Sequence, residues 1–393
     1  MVAKKPVIEK PKLPKRTKAA KAKNNAEHTA LHYGFDLVDI RDSIHTGKTT
    51  ELAEEEKIKL MKFYGKNNDL KKDIPKKMMF YSKPILKEKK TRGKQNNFGL
   101  DVIGVESGLA EAFVIKTALS ILQDEGYKDL AVRINAIGDK ESVKRFEKEL
   151  ATFYKKHLDI LKAADQKKVK EGNSLEVFSS DKEYLEELHA EAPKPLFFLS
   201  EESSTHFKEV LEYLEEINMS YEIDNELMGN RNYFSKTIFV ITGSEAKGKP
   251  IKELARGGRY DELASDVTRK RKIAAVGLSM DFKARAKVPK KTKAKTSKHD
   301  VNIHLIKIGF NARLKSFEIM EAMRKLDIPL NHSMDETKIS RQIEHAVEND
   351  SRYALIVGHK EATEGKVLIR DMETFSQNEV KVIDLPKYAR KLI

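Results

Sequence analysis

The sequence predicts an α+β protein in which a large core of mixed strands and helices is followed by a small α/β domain. Strand-like and helix-like apolar patterns both recur through residues 25–285 without regular alternation. Residues 300–393 instead alternate between short strand patterns and amphipathic helix patterns, which is typical of a compact α/β unit. A lysine-rich segment, 286–299, separates the two parts and has the composition of a linker.

In the core, amphipathic and charged runs predict helices at 25–34, 51–73 and 109–127, and a mostly helical region over about 140–220. Apolar runs bounded by turn residues predict strands at 35–40, 78–86, 98–105 and 130–139. Residues 274–286 are interpreted as a strand leading into a helix. In the C-terminal part the predicted order is strand, helix, strand, helix, three strands and a final helix.

Composition excludes several classes of protein. The chain has 393 residues and no cysteine, which excludes disulfides and thiolate metal sites and favours a reducing compartment. Its apolar runs are all shorter than the roughly 18 residues of a membrane span. The N-terminus is basic but lacks the apolar segment of a secretory signal.

The net charge of +14 is concentrated in two segments. Residues 1–24 hold nine Lys or Arg against one acid, and residues 283–298 hold eight and no acid, so the remainder is close to neutral. We interpret 1–24 as a disordered basic arm. A solubilising tail and a solvated linker would have this composition, but two basic segments flanking folded domains favour binding to nucleic acid.

Several motifs in order along the chain resemble one family, the class II histidyl-tRNA synthetases. They are GGRYDELASD from Gly257, FGLDVIG from Phe98, VRINAIGD from Val132, SYEIDNEL from Ser220 and AAVGLSM from Ala274. The resemblance implies a six- or seven-stranded antiparallel catalytic sheet over 25–285 with a helical insertion at about 140–220. It also implies an anticodon-binding domain at 300–393, a homodimer and a cytoplasmic protein.

In that family the Gly-Gly-Arg-Tyr-Asp stretch lines the amino-acid pocket. Adjacent glycines allow the backbone to approach a small ligand closely. The resemblance therefore implies a pocket remnant formed by eight residues: Gly257, Gly258, Arg259, Tyr260, Asp261, Tyr233, Phe113 and Asn97. Alternatively, Arg259, Tyr260 and Asp261 form a hydrogen-bonded turn that stabilises the sheet edge.

The arginines that the family uses on ATP are replaced. Their positions correspond to Leu86, Gly229 and Ala284, while Glu88 of the nucleotide site is retained. Phe113 stands where the family has a substrate-binding carboxylate, and the family's Leu-Arg-Pro-Glu-x-Thr motif has no counterpart between residues 52 and 77. Since a lost phosphate-binding donor costs about 10²–10³ in rate, we expect no catalytic residues and no cofactor. Arg92, Arg231 and Arg285 lie close enough for register shifts to remain an alternative.

The predicted partner is tRNA or another structured RNA. In the family, one protein loop contacts the acceptor end of tRNA, and the resemblance implies that its basic residues here are Lys87, Lys89, Lys90, Arg92 and Lys94. The linker adds four predicted RNA-binding residues, Lys290, Lys291, Lys293 and Lys295. No metal site is predicted: His28 and His32 have the i, i+4 spacing of ligands on one helix face, but no third ligand lies at a suitable spacing.

Three functions follow from these observations. The first is a synthetase-like protein that binds RNA without aminoacylation, and this is the hypothesis we favour. The second is an active, divergent histidine–tRNA ligase that requires ATP and Mg²⁺. The third, a histidine-sensing regulatory subunit resembling that of ATP phosphoribosyltransferase, fits least well because such subunits generally lack an anticodon-binding domain.

Overall fold

A computed structural model describes residues 22, 24–40, 52–68, 70, 74–85, 95–180, 182–229, 233–270, 272–283 and 302–392. The strands of the larger part are β1 Asp36–Leu37, β2 Lys77–Ile85, β3 Gln95–Ile103, β4 Lys128–Gly138, β5 Tyr221–Ile223, β6 Ser235–Ser244, β7 Ile251–Arg259 and β8 Ala275–Lys283. Its helices are α1 Asn25–His32, α2 Leu52–Asn67, α3 Leu109–Asp124, α4 Lys140–Lys156, α5 Ala163–Lys170, α6 Ser174–Phe178, α7 Glu186–Glu191, α8 Glu201–Glu216 and α9 Asp261–Thr268.

The C-terminal part contains a second, smaller set of elements. Its strands are β9 Ile303–Lys307, β10 Leu330–His332, β11 Tyr353–Val357, β12 Lys366–Asp371 and β13 Gln377–Lys381. Its helices are α10 Phe310–Arg324, α11 Ile339–Glu348, α12 His359–Glu364 and α13 Leu385–Leu392. Each described helix is too short or too polar to cross a membrane.

The large sheet has the strand order β1-β2-β3-β8-β7-β6-β4-β5. The pairings of β1 with β2 and of β4 with β5 are parallel, and the other pairings are antiparallel. The described part of the sheet thus has eight strands rather than the six or seven that the resemblance implied, because short parallel strands extend both edges.

Different helices cover the two faces of this sheet. On one face α3 packs against β3, β7 and β8, and the shared core includes Val114, Phe239 and Leu278. On the other face α2 and α9 pack together over a separate core that includes Leu60, Ile238 and Tyr260. The sheet is therefore buried on both sides, which explains the unbroken run of four apolar residues at 238–241 of β6.

The helical segment that follows β4 has its own small core. Asp139 caps α4 by accepting a hydrogen bond from the Ser142 amide at 2.9 Å. Phe146, Leu150 and Tyr154 then recur at helical spacing on the buried face of α4 and pack against α6 and α7. This segment connects β4 to α8, which returns the chain to the large sheet.

The smaller sheet has the order β10-β9-β11-β12-β13, with parallel pairs among the first three strands and antiparallel pairs beyond them. Its apolar core is continuous with that of the large sheet, since Phe317 of α10 packs on Phe113 of α3 with ring centroids 4.8 Å apart. The two parts are joined by a packed interface as well as by the linker.

Several element predictions were wrong or incomplete. Residues 35–40 form a strand of two residues, Asp36–Leu37. The predicted change from strand to helix within 274–286 is not seen among the described residues, where Ala275–Lys283 is one continuous strand paired on both sides. Helix α12 was not predicted, because its six residues are too few for a helical period to be recognised.

Candidate functional site

The paired glycines lie near the centre of the large sheet. Gly258 of β7 is opposite Gly277 of β8, and Gly277 is opposite Asp101 of β3. Gly258, Gly277 and Asp101 thus form a row across three neighbouring strands, which we call the glycine row. This is the place where the sequence predicted the floor of an amino-acid pocket.

Close packing explains why glycine is needed here. A Cβ atom at Gly277 would lie 1.9 Å from the Oδ1 atom of Asp101, so the missing side chain lets this carboxylate lie across β8. A Cβ at Gly258 would lie 2.5 Å from the carbonyl oxygen of Thr237, and one at Gly257 2.5 Å from that of Gly277. The chain itself therefore fills the space that the glycines provide.

An ammonium group from α2 covers the glycine row. Lys57 Nζ lies 2.7 Å from Asp101 Oδ1 and 2.8 Å from Oδ2, and it donates a hydrogen bond to the Leu278 carbonyl oxygen at 3.1 Å. The Tyr260 hydroxyl donates to Asp101 Oδ1 at 2.7 Å. The side chains of Lys57 and Asp101 are both 0% exposed. The Lys57 ammonium group thus occupies the space over the glycine row.

Burial dominates the electrostatics of this cluster. It raises the pKa of Asp101, whereas the Lys57 ammonium and the Tyr260 hydroxyl act in the opposite direction. Burial also raises the pKa of Tyr260 well above its ordinary value, and the charge of Asp101 adds to this effect. Tyr260 therefore keeps its proton and remains a hydrogen-bond donor to the carboxylate.

Further contacts fix α2 on this face of the sheet. Glu56 accepts hydrogen bonds from the Tyr81 hydroxyl and from Asn97 Nδ2, each at 3.0 Å. The Tyr233 ring stacks on Tyr260 with centroids 5.9 Å apart and an interplanar angle of 13°. Asn97 and Tyr233, two of the predicted pocket residues, thus lie on the same face as the glycine row.

Arg259 lies on the opposite face. Its Nε and Nη2 atoms donate to the two carboxylate oxygens of Glu111 at 2.8 and 2.6 Å, and both side chains are 0% exposed. His206 Nε2 and Thr237 Oγ1 also contact Glu111 Oε1, at 2.7 and 2.9 Å. Burial alone would raise the pKa of Glu111, but Arg259 and His206 overcome it and hold the pKa far below its usual range. All these contacts are structural.

Asp261 completes the turn after β7. Its Oδ1 accepts a hydrogen bond from the Ala275 amide at 2.8 Å, and Arg259 Nη1 lies 3.4 Å from the same atom. Asp261 is also the first residue of α9, and its amide donates to Ser235 Oγ at 3.2 Å. The alternative interpretation of this stretch, a hydrogen-bonded turn that stabilises the sheet, thus describes Arg259 and Asp261.

The structure places Phe113, one of the predicted pocket residues, away from the glycine row. Its ring packs against Phe317, with centroids 4.8 Å apart, and against His332 at 5.3 Å, both in the C-terminal part. Tyr33 contacts the same ring edge to face at 6.5 Å. Phe113 is an interface residue on the α3 side of the sheet, because α3 packs on the face opposite the one that α2 covers.

Gly229, where the sequence predicted the replacement of one family arginine, lies against apolar side chains. A Cβ atom there would come within 2.4 Å of the Phe234 ring and 2.6 Å of Ile238 Cδ1. An arginine would not fit without displacing these residues. Other predicted positions lie outside the described residues, namely Leu86, Glu88, Ala284, Arg231, Arg285, Lys87, Lys89, Lys90, Arg92, Lys94, Lys290, Lys291, Lys293 and Lys295.

Sequence reasoning missed Lys57, Asp101 and Glu111. Asp101 had a usable signal, since it is a carboxylate within the apolar run of β3 on the same strand face as Gly99 and Ile103. Glu111 likewise interrupts the apolar start of α3. Lys57 had none, because it is one of several lysines in a highly charged helix.

The architecture is that of a class II aminoacyl-tRNA synthetase: a large, mainly antiparallel sheet with helices, joined to a small α/β domain. Residues 302–392 match the family model described as an anticodon binding domain. Residues 68–284 match the model of histidyl-tRNA synthetase. Since the second match spans more than half of the chain, the protein belongs to the histidyl-tRNA synthetase family.

Individual relatives are distant but align over most of their length. The histidine–tRNA ligase of Bacillus subtilis is 24% identical over 339 residues, covering 85% of this chain and 80% of the ligase. That of Pelodictyon phaeoclathratiforme is 27% identical over 336 residues, covering 84% and 78%. The crystal structure of the apo histidyl-tRNA synthetase of S. aureus has a TM-score of 0.49 at 17% identity, covering 96% of this chain and 99% of that one.

Proposed function

We propose that this protein binds tRNA or another structured RNA and does not catalyse aminoacylation. The observation that carries the proposal is the buried Lys57–Asp101 pair over the glycine row. In this family that region of the sheet lines the amino-acid pocket, and here α2 covers it in the part of the sequence that lacks the substrate-binding motif. The glycines have been kept for packing.

A substrate would have to displace a buried ion pair to enter. Breaking such a pair leaves an uncompensated buried charge and costs about 3–5 kcal/mol. Tyr260, Glu56 and Tyr81 would lose hydrogen bonds in the same movement. Histidine binding with a Kd of about 1 mM has a binding free energy of about 4 kcal/mol in favour of the complex. The cost of displacing the ion pair would cancel this free energy. A side chain at Gly229 would clash with Phe234 and Ile238, so this position has no room for an arginine that contacts ATP. This argues against nucleotide binding as well.

Charge and domain content support the RNA part of the proposal. The chain carries a net charge of +14, concentrated in 1–24 and 283–298, and such segments bind polyanions by releasing counterions. The C-terminal part matches a domain named for anticodon binding. We also propose a homodimer on family grounds, which light scattering coupled to size-exclusion chromatography would test.

The first experiment is histidine-dependent exchange of pyrophosphate into ATP, with an active bacterial histidine–tRNA ligase as positive control. We expect no exchange above background and no heat of histidine binding in calorimetry. The names of the relatives favour the second candidate, an active ligase. Histidine-dependent exchange by the wild-type chain would establish that candidate and refute ours.

The second experiment is filter binding of unfractionated tRNA over a series of salt concentrations. We expect saturable binding whose affinity falls steeply as salt rises, because phosphate contacts dominate. Double-stranded DNA of matched length serves as the competitor that reports general polyanion affinity. No binding at low salt, or an affinity that ignores salt, would count against RNA binding regardless of the exchange result.

A further inference from the structure

A cluster of three metal-ligand side chains lies where α1 meets the turn after α10. His28 Nε2 is 2.7 Å from Asp327 Oδ1, and His32 Nε2 is 3.3 Å from the same oxygen. One potential ligand atom from each residue lies within 4.8 Å of the other two. The histidines have i, i+4 spacing on one face of α1, so the third ligand comes from a position 295 residues or more away in sequence.

The hydrogen bond of the His32 ring indicates which of its two nitrogens has a lone pair directed at the cluster. His32 Nδ1 lies 2.8 Å from the His28 carbonyl oxygen. A carbonyl oxygen can only accept, so Nδ1 carries the proton and Nε2 of the neutral ring is left with a lone pair. Nε2 is buried without a hydrogen bond, and the His32 side chain is 7% exposed. Two electron-rich atoms, Nε2 and the Asp327 oxygen, thus face one another.

The segments on which the three ligand residues lie are held together by contacts of neighbouring residues. Thr29 Oγ1 and Arg324 Nη1 both donate to Asp124 Oδ2, at 2.8 and 2.6 Å, and so join α1, α3 and α10. Asp327 has a left-handed backbone with φ of 61°, and its amide donates to the Arg324 carbonyl oxygen. The cluster is therefore positioned by the fold before any ligand binds.

We propose that His28, His32 and Asp327 bind a divalent transition-metal ion of the Zn²⁺ type, which staples α1 to the C-terminal domain. Imidazole nitrogens and a carboxylate are common Zn²⁺ ligands, and ligand–metal distances of about 2.0–2.2 Å place tetrahedral ligand atoms about 3.3 Å apart. The pair His32–Asp327 has this separation, and the pair His28–Asp327 would open slightly. The Asp327 side chain is 59% exposed, so water can take the fourth position.

The test is calorimetric titration of the untagged full chain with Zn²⁺, with Co²⁺ absorption as a spectroscopic readout. Because the chain has no cysteine, a Co²⁺ spectrum reports nitrogen and oxygen ligands without thiolate bands. We expect one saturable equivalent per chain and a higher thermal midpoint with the metal. His28→Gln and Asp327→Asn should each weaken binding at least tenfold. Asparagine tolerates the left-handed backbone at 327, so this variant keeps the fold.

The matched control is His157→Gln. His157 also places its Nδ1 on the carbonyl oxygen four residues earlier, that of Phe153, at 2.9 Å, but among the described residues it belongs to no cluster of His, Asp and Glu ligands. This variant should bind Zn²⁺ as the wild type does. The proposal is overturned if the wild-type chain takes up no stoichiometric Zn²⁺, or if His28→Gln and Asp327→Asn bind it as tightly as His157→Gln does.

Discussion

At the residue scale, identical side chains in one helix do different things. Lys57 and Lys59 are two positions apart in α2. Lys57 is fully buried on Asp101, whereas Lys59 forms a partly exposed pair with Glu55 at 2.6 Å, with side chains that are 20% and 27% exposed. In the buried pair, removing one partner leaves the other as an uncompensated buried charge. In the pair that solvent reaches, water screens the attraction between the charges. Substituting each of these two lysines therefore measures how strongly the Lys57–Asp101 pair holds α2 over the glycine row.

Lys57→Ala should lower the free energy of unfolding by about 3–5 kcal/mol, because Asp101 would be left buried and unpaired. Lys59→Ala is the matched control and should cost about 0.5 kcal/mol, since a partly exposed i, i+4 ion pair within a helix contributes little. Urea denaturation of both variants measures the difference. Equal losses would mean that Lys57 is not the buried partner of Asp101.

At the element scale, the start of α4 illustrates a cap that also links distant segments. Asp139 accepts from Ser142 of its own helix and from the Ser200 hydroxyl that caps α8. Burial opposes ionisation, but the hydrogen bonds from Ser200 and Ser142 outweigh it and lower the pKa of Asp139 to about 2. The carboxylate thus stabilises the folded chain whenever it is ionised.

The folded-state pKa of Asp139 lies below the unfolded value, so its contribution is complete above about pH 5 and is lost as the pH falls. Between pH 6 and pH 3 the loss should be about 1 kcal/mol. Asn is an equally good N-cap without a titrating group, so Asp139→Asn should lack this component. Guanidinium denaturation at the two pH values compares the two proteins, and an identical pH dependence would contradict the assignment.

At the scale of the whole molecule, packing unites two domains whose sequences differ in pattern. Phe113, Phe317 and His332 form an aromatic contact across the interface, and Arg324 pairs with Asp124 at 2.6 Å. The interface places the anticodon-binding domain against α1 and α3. In the sequence, the basic linker 286–299 directly precedes this domain.

We therefore expect the linker lysines to contribute to RNA affinity as a set. Changing Lys290, Lys291, Lys293 and Lys295 to Ala should weaken tRNA binding and reduce the salt slope of log K by about 3–4, which is about 0.7–0.9 for each of four lost phosphate contacts. The control changes four exposed lysines of the helical segment, namely Lys155, Lys156, Lys167 and Lys170. Equal effects of the two sets would show that total charge, not the linker, determines binding.

The sequence by itself determined the order of most elements, the family and the two-part organisation. These depend on local periodicity and on short motifs, both of which can be recognised in a single sequence. It also indicated that the family's arginines are replaced at positions such as Gly229.

Only the tertiary structure decided which side chains meet. The sequence assigned Arg259 and Phe113 to one pocket, whereas the fold turns both to the other face of the sheet. It gave no reason to pair Lys57 with Asp101, or Asp327 with His28. Such pairs join residues far apart in the chain, and their energies depend on burial and distance, which local patterns do not encode.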